Sequence, residues 1–183
     1  MYNFGLEHCV ELNVAAELKL AGRPSSRHFE ENMQPIDFGG HKLVFTMPVS
    51  VDLTYVFDGE GFSVAGVLSS RLMMNCTKCN EEFEQDFSVD FSERFIKTSE
   101  NEAEELECYP FNGETLDLNK MVFDLIILNA PLYGLCKPDC KGLCPVCGCN
   151  LNTMQCSCSK SVKNANFSSL EELAQLLNDE EEV

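Results

Sequence analysis

Between Leu135 and Cys158 the chain reads LCKPDCKGLCPVCGCNLNTMQCSC and holds seven of its eleven cysteines: Cys136, Cys140, Cys144, Cys147, Cys149, Cys156 and Cys158. Thiols packed this closely, with Pro145 inside one pair and Gly148 just after it, are what a short loop needs to surround a tetrahedral metal ion. Such loops stabilise thiolate charge by turning backbone N–H groups toward sulfur. Pro145 stiffens that turn, and Gly148 can take a positive φ. Cys144 and Cys147 therefore form the leading ligand pair, with Cys156 and Cys158 returning to complete a four-thiolate zinc site. Spacing alone leaves a neighbouring cysteine able to substitute within that set.

A second pair stands at Cys76-Thr77-Lys78-Cys79. If the chain brings the later cysteines back to it, Cys76, Cys79, Cys136 and Cys140 make a second four-thiolate site. Cys149 is then left over, and with only Gly148 between it and Cys147, joint ligation of one ion is awkward; it reads as a spare thiol. A single zinc using Cys76 and Cys79 with two later cysteines is the competing arrangement, so one ion or two stays open. Cys9 and Cys108 stand alone, as core or surface thiols. His8, His28 and His41 have no partner at ligand spacing.

A closed four-thiolate zinc has no open position for water, which makes the metal structural. The sequence has no glycine-rich phosphate loop after a strand and no Ser or Cys beside a plausible His base. The expectation is a protein that is not an enzyme and acts by binding.

The elements that must position these thiols can be read from periodicity. Even positions from Val10 to Leu20 are apolar, which predicts a half-buried strand, and a loop follows from Gly22 to Gly39-Gly40. Leu43, Phe45, Met47, Val49, Val51, Leu53, Tyr55 and Phe57 share one face, with Pro48 marking an edge or a bulge. After the turn Asp58-Gly59-Glu60-Gly61, the alternation resumes at Phe62, Val64, Gly66, Leu68, Leu72 and Met74 as the second arm of a hairpin. A further alternation at Phe83, Phe87, Val89 and Phe91 places the Cys76–Cys79 pair at a turn between antiparallel strands, as a zinc knuckle at a hairpin tip.

From Asp117 the period becomes helical: Leu118, Met121, Val122, Leu125 and Leu128 recur, Asp117 caps the first turn, and Pro131 ends the helix. The acidic run SENEAEELE at 99–107 reads as a loop or short helix. Beyond Cys158 a polar linker leads to a short amphipathic helix with Leu170, Leu173, Ala174 and Leu177 on one face, then an acidic tail.

The fold class expected is α+β: an antiparallel β-meander, a partly open barrel-like sheet, with one packed helix, a cysteine-rich zinc-binding segment and a short C-terminal helix. The domain reading is a β-rich domain over 1–131, with the knuckle at 76–79 and the helix near 118–129. The cysteine-rich segment at 132–160 follows, and then 161–183 as linker, helix and tail.

At 183 residues with 44% hydrophobic content, the chain supports one domain with a core plus a metal module. Its first residues carry no basic stretch followed by an apolar run, and no apolar stretch reaches roughly 18 residues. The expectation is a cytoplasmic protein without a membrane partner, in a reducing compartment where dense cysteines serve metal or redox chemistry. A formal net charge of −17 excludes non-specific attraction to nucleic acid or anionic lipid as a driving force. From Cys136 to Lys163 the balance reverses, with Lys137, Lys141, Lys160 and Lys163 against Asp139 alone.

The order of these motifs resembles the YceD family of bacterial and plastid proteins, the large ribosomal RNA subunit accumulation proteins. The resemblance rests on Cys76-Thr77-Lys78-Cys79 after a hairpin and an apolar helix from Met121 to Pro131. It continues through L-C-x-x-D-C-K-G-L-C-P-x-C-G-x-N-L-N from Leu135 to Asn152 and the trailing C-x-C at Cys156 to Cys158. It implies a non-enzymatic factor supporting synthesis, processing or accumulation of 23S ribosomal RNA and hence large-subunit assembly. Its partner would be a large-subunit ribosomal RNA precursor or a ribosomal protein. The alternative is a thiol protein that handles zinc or senses redox state, using Cys76, Cys79 and Cys149.

Overall fold

The longest element of the computed structural model, which describes residues 10–38 and 41–158, is a hairpin whose two arms each run fifteen residues. In chain order the elements are β1 (Glu11–Asn13), a 3-10 turn (Glu17–Lys19), β2 (Pro24–Glu31), β3 (Ile36–Phe38), β4 (His41–Phe45), β5 (Val49–Phe57) and β6 (Gly61–Asn75). There follow β7 (Glu82–Ile96), α1 (Glu100–Glu105), β8 (Tyr109–Pro110), β9 (Thr115–Asp117) and α2 (Asn119–Asn129). By internal contacts the chain divides into two units, one of residues 10–76 and 81–136, the other of 77–80 and 137–158.

The first unit is mostly sheet, and the sheet is open. β6 pairs with β7 antiparallel along its whole length, from Gly61 opposite Ile96 to Asn75 opposite Glu82. Its other edge is shared: β5 takes Phe62 to Ser69, and β4 takes Leu72 and Met73. The single alternation read from Leu43 to Phe57 is therefore two strands broken at Pro48, where Thr46 N–H donates to the Arg71 carbonyl at 2.8 Å and Met47 turns out to solvent. β2 lies outside β5, β3 outside β4, and β8 pairs parallel with β7. The turn before β6 is fixed by Asp58, whose Oδ1 accepts from the N–H groups of Glu60 (3.0 Å) and Gly61 (2.9 Å).

Period-2 patterning puts Val49, Val51, Leu53 and Tyr55 of β5, Phe62, Val64, Leu68 and Leu72 of β6, and Phe87, Val89, Phe91 and Phe95 of β7 out of solvent. Each such side chain contributes about 1.5–3 kcal/mol by leaving water. α2 covers this core with Met121, Val122, Leu125 and Ile126. Asp117 accepts from Asn119 N–H at 2.9 Å at the helix start, whereas Leu128, read as part of the apolar face, is 81% exposed. α1 begins at a capping box between Ser99 and Glu102.

Two expectations change. The strand predicted from Val10 to Leu20 is only β1, paired with β9; Val14 C=O then accepts from Leu18 N–H and the chain coils into the 3-10 turn. The segment from Gly22 to Gly39-Gly40, expected as loop, contains β2 and β3. β2 escapes the pattern because its exposure does not alternate cleanly: as an outer strand it carries Ser26, Arg27, His28 and Glu30 largely in water. The C-terminal amphipathic helix and acidic tail lie outside the described residues. No described helix is long and apolar enough to cross a membrane.

Candidate metal centre

β6 and β7 are joined by Cys76 to Glu81, so the Cys76–Cys79 pair occupies the tip of the longest hairpin. The link closes with Cys76 N–H donating to the Glu81 carbonyl at 2.8 Å, and Asn80 reverses the chain at φ +59°. An asparagine tolerates that left-handed conformation better than most side chains. Cys76 and Cys79 are both buried.

The second unit is organised as a short hairpin of its own. Leu143 and Asn150 form a β-bridge, Cys144 N–H donates to the Cys149 carbonyl (2.8 Å), and Leu151 N–H donates to the Gly142 carbonyl (2.9 Å). At the closed end Gly148 N–H donates to the Cys144 carbonyl at 2.8 Å, with Gly148 at φ +73° as the motif requires. At the open end Asn152 takes over from the backbone. Its Oδ1 accepts from Lys141 N–H at 2.9 Å, its own N–H donates to Asn150 Oδ1 at 2.9 Å, and its Nδ2 donates to Cys140 Sγ at 3.3 Å. Leu143 N–H reaches the Lys78 carbonyl in the knuckle turn at 3.0 Å. That approach explains Gly142: its φ is +74°, and a Cβ there would stand 3.0 Å from the Lys78 oxygen.

Two groups of sulfur atoms result. The Sγ atoms of Cys76, Cys79, Cys136 and Cys140 lie within 4.8 Å of one another, and so do those of Cys144, Cys147, Cys149 and Cys156. Either group could hold a metal ion. With Zn–S bonds of about 2.3 Å, a tetrahedron has sulfur atoms about 3.8 Å apart, within that limit. The first group has the membership expected from the spacing. The second contains Cys149 where the spacing suggested Cys158, because the Cys144–Cys149 backbone bond draws the residue after Gly148 back over the knuckle. Cys158 belongs to neither group.

The electrostatics of the second group are uneven. N–H groups of Cys147 and Val146, the latter 3.5 Å from Cys144 Sγ, lower the Cys144 thiol to about 6. Hydrogen bonds to Cys147 and burial push Cys149 up to about 12, and the same two causes push Cys158 up to about 12. Outside both groups, burial raises the Cys108 thiol, which donates to the Ala103 carbonyl, and His28 Nδ1 pairs with Asp52 Oδ1 at 2.8 Å across β2 and β5. Sequence reasoning missed Gly142, Asn150 and Asn152. Their signal was an asparagine pair two apart just past the knuckle, a spacing suited to an Asx turn.

The family model described as large ribosomal RNA subunit accumulation protein YceD matches residues 64–174, a span that includes every residue of both sulfur groups. An uncharacterized protein of Mycobacterium tuberculosis is 30% identical over 103 residues, 55% of this chain and 50% of that one. The chloroplastic large ribosomal RNA subunit accumulation protein YCED homolog 1 of Arabidopsis thaliana is 23% identical over 163 residues, 73% of this chain and 51% of that one. Its namesake in Zea mays is 43% identical over 51 residues, 27% of this chain and 17% of that one. The chain spans about half the length of the first of these curated relatives. No solved structure matches it.

Proposed function

Since the chain belongs to the YceD family, we propose that it is a non-enzymatic zinc-binding factor that supports accumulation of 23S ribosomal RNA and assembly of the large ribosomal subunit. The observation that carries this reading is that the family match encloses both four-sulfur groups, so the family description and the candidate metal chemistry fall on the same stretch of chain.

Zinc suits four thiolates within reach of one another, and with four protein ligands it has no position left for water. Its part is to hold loops. The loops so held, 77–80 and 137–158, carry Lys78, Lys137 and Lys141 against Asp139, whereas the whole chain stands at −17. Each four-thiolate zinc adds about −2, so the lysines face a partner beside anionic centres. This favours a specific contact with a large-subunit RNA precursor or a ribosomal protein over diffuse attraction to nucleic acid.

Deleting the gene should lower large-subunit ribosomal RNA relative to small-subunit RNA, and the protein should co-sediment with large-subunit precursors. Unchanged subunit profiles in the deletion strain would overturn the proposal. Crosslinking through the three lysine positions separates the partners: adducts with RNA identify the precursor, adducts with protein a ribosomal protein.

A further inference from the structure

One strand of the sheet keeps a long unpaired edge. β7 pairs with β6 along its whole length, but among the described residues its other edge meets only β8, at Phe95 and Ile96. In an antiparallel pair, successive residues turn their N–H and C=O alternately toward the neighbour and away from it. The bond from Cys76 N–H to the Glu81 carbonyl sets the phase: odd-numbered residues of β7 face β6 and even-numbered ones face outward. Ile96 agrees, since its carbonyl accepts from Phe111 N–H, just past β8, at 2.9 Å. Glu82, Glu84, Asp86, Ser88, Asp90 and Ser92 therefore present their backbone groups to the open side. Of these, the Asp86 carbonyl accepts from the Gln85 side chain at 3.2 Å. The same six side chains are exposed, on the face of β7 opposite buried Phe87, Val89 and Phe91.

Proteins blunt such edges with proline, lysine or a bulge. β7 has no proline and no lysine, and its register with β6 is unbroken. What it carries is acid. Glu84 and Asp86 share Arg71, at 3.6 and 2.7 Å, whereas Glu82 and Asp90 have no ion-pair partner among the described residues. A second copy would bring a strand of the same sign, so this charge opposes self-pairing. An incoming strand with lysine or arginine at alternate positions would instead set its cations beside these carboxylates. Residues 85–90 of β7 also line a groove of about 410 Å³ with Asn129, at the end of α2, and Pro131 beyond it. We propose that the outer edge of β7 is a docking site for a lysine- or arginine-rich extended segment of a protein partner, which adds to the sheet as a further strand. The site uses no residue of either sulfur group.

The test titrates the full chain with a short peptide alternating lysine and valine, followed by backbone amide NMR and hydrogen exchange. The peptide should bind, and the amides of Asp86, Ser88 and Asp90 should gain exchange protection. Methylating the peptide nitrogens that would face β7 keeps its charge and removes its donors, and binding should fall about tenfold. Ser88→Pro removes an outward N–H without touching the β6 ladder and should weaken binding by about as much. Glu82→Gln combined with Asp90→Asn should weaken it several-fold at low salt and less at high salt. A glutamate–valine peptide and spermine should leave the edge amides unprotected. Equal binding of the methylated peptide, or protection that falls outside β7, would overturn the proposal and reduce the surface to diffuse charge. Self-association of the chain that Ser88→Pro abolishes would give the edge to a second copy and overturn it as well. Should the proline variant fail to fold, as its amide spectrum would report, the methylated peptide still decides.

Discussion

In residues 10–76 and 81–136, the large side chains fully removed from solvent are Tyr55, Phe62, Phe95, Leu68, Leu72, Leu116, Leu118, Met121 and Ile126. In residues 77–80 and 137–158 the buried side chains are Cys79, Cys140 and Cys144, while Leu143, Val146 and Met154 stand 42–58% exposed. The first unit meets the ordinary condition for folding, an apolar core large enough to offset chain entropy. The second does not. What it has instead is a set of hydrogen bonds among residues 140–152 around sulfur atoms that could hold a metal ion.

Removing metal should separate the two units most sharply. Structural zinc contributes about 10–16 kcal/mol in small metal-folded domains. With a strong chelator, the amides of Leu143, Cys144, Gly148 and Leu151 should lose hydrogen-exchange protection, and the amides along β6 and β7 should keep it. If the 140–152 hairpin stays protected without metal, the contrast fails and its hydrogen bonds suffice alone.

Truncation in each unit gives the next largest difference. Phe62 is fully buried and meets Tyr55, Phe57 and Phe111 at ring separations of 6.3, 5.0 and 5.4 Å. Phe62→Ala should cost about 3–5 kcal/mol in denaturant unfolding. Val146→Ala, on an exposed apolar residue between two candidate ligands, should stay within about 0.5 kcal/mol. A large loss at Val146 would mean that apolar burial matters in the second unit after all.

Asn152 sharpens the comparison at smaller scale, because it stabilises through sulfur. Its Nδ2 donates to Cys140 Sγ, and its Oδ1 holds Lys141 N–H. Asn152→Ala should weaken metal binding at the Cys140-containing group by roughly 10–100-fold, the usual cost of losing a partner that orients a ligand. Chelator competition measures it, and the sheet's unfolding midpoint in the metal-free chain should not move. Equal affinity in the variant would remove Asn152 from any part in the site.

The same division decides what could be read in advance. The β5–β6–β7 arms, the knuckle at their turn and α2 were legible because apolar side chains repeat where a sheet or helix face is buried. β2 left no such trace, since an outer strand pairs through its backbone while side chains such as Ser26, Arg27 and Glu30 stay exposed. The cysteine groups were legible as types and spacings. The choice between Cys149 and Cys158 was not, because it follows from one backbone bond, Cys144 to Cys149, that any residue at 149 could accept. Hydrogen bonds that shape a hairpin without burying apolar surface write little into residue periodicity.

Acidification should weaken metal binding in the second unit and act with the opposite sign at one position of the first, Glu93, the smallest of these effects. Lowering pH protonates thiolates and releases metal, so the second unit loses stability. In the first unit, burial and the nearby Asp124 carboxylate raise the Glu93 pKa. A carboxyl whose folded pKa is raised contributes stability that is fully present below its unfolded pKa of about 4.3 and is lost as pH rises through the folded value. At neutral pH ionised Glu93 therefore costs the sheet. Glu93→Gln should raise the melting temperature at pH 7 by a small margin, and that margin should shrink toward zero as pH falls to about 4. Measured in metal-free protein, the shift reports on the sheet alone; a margin that stays constant with pH would mean that Glu93 acts through packing, not through its charge.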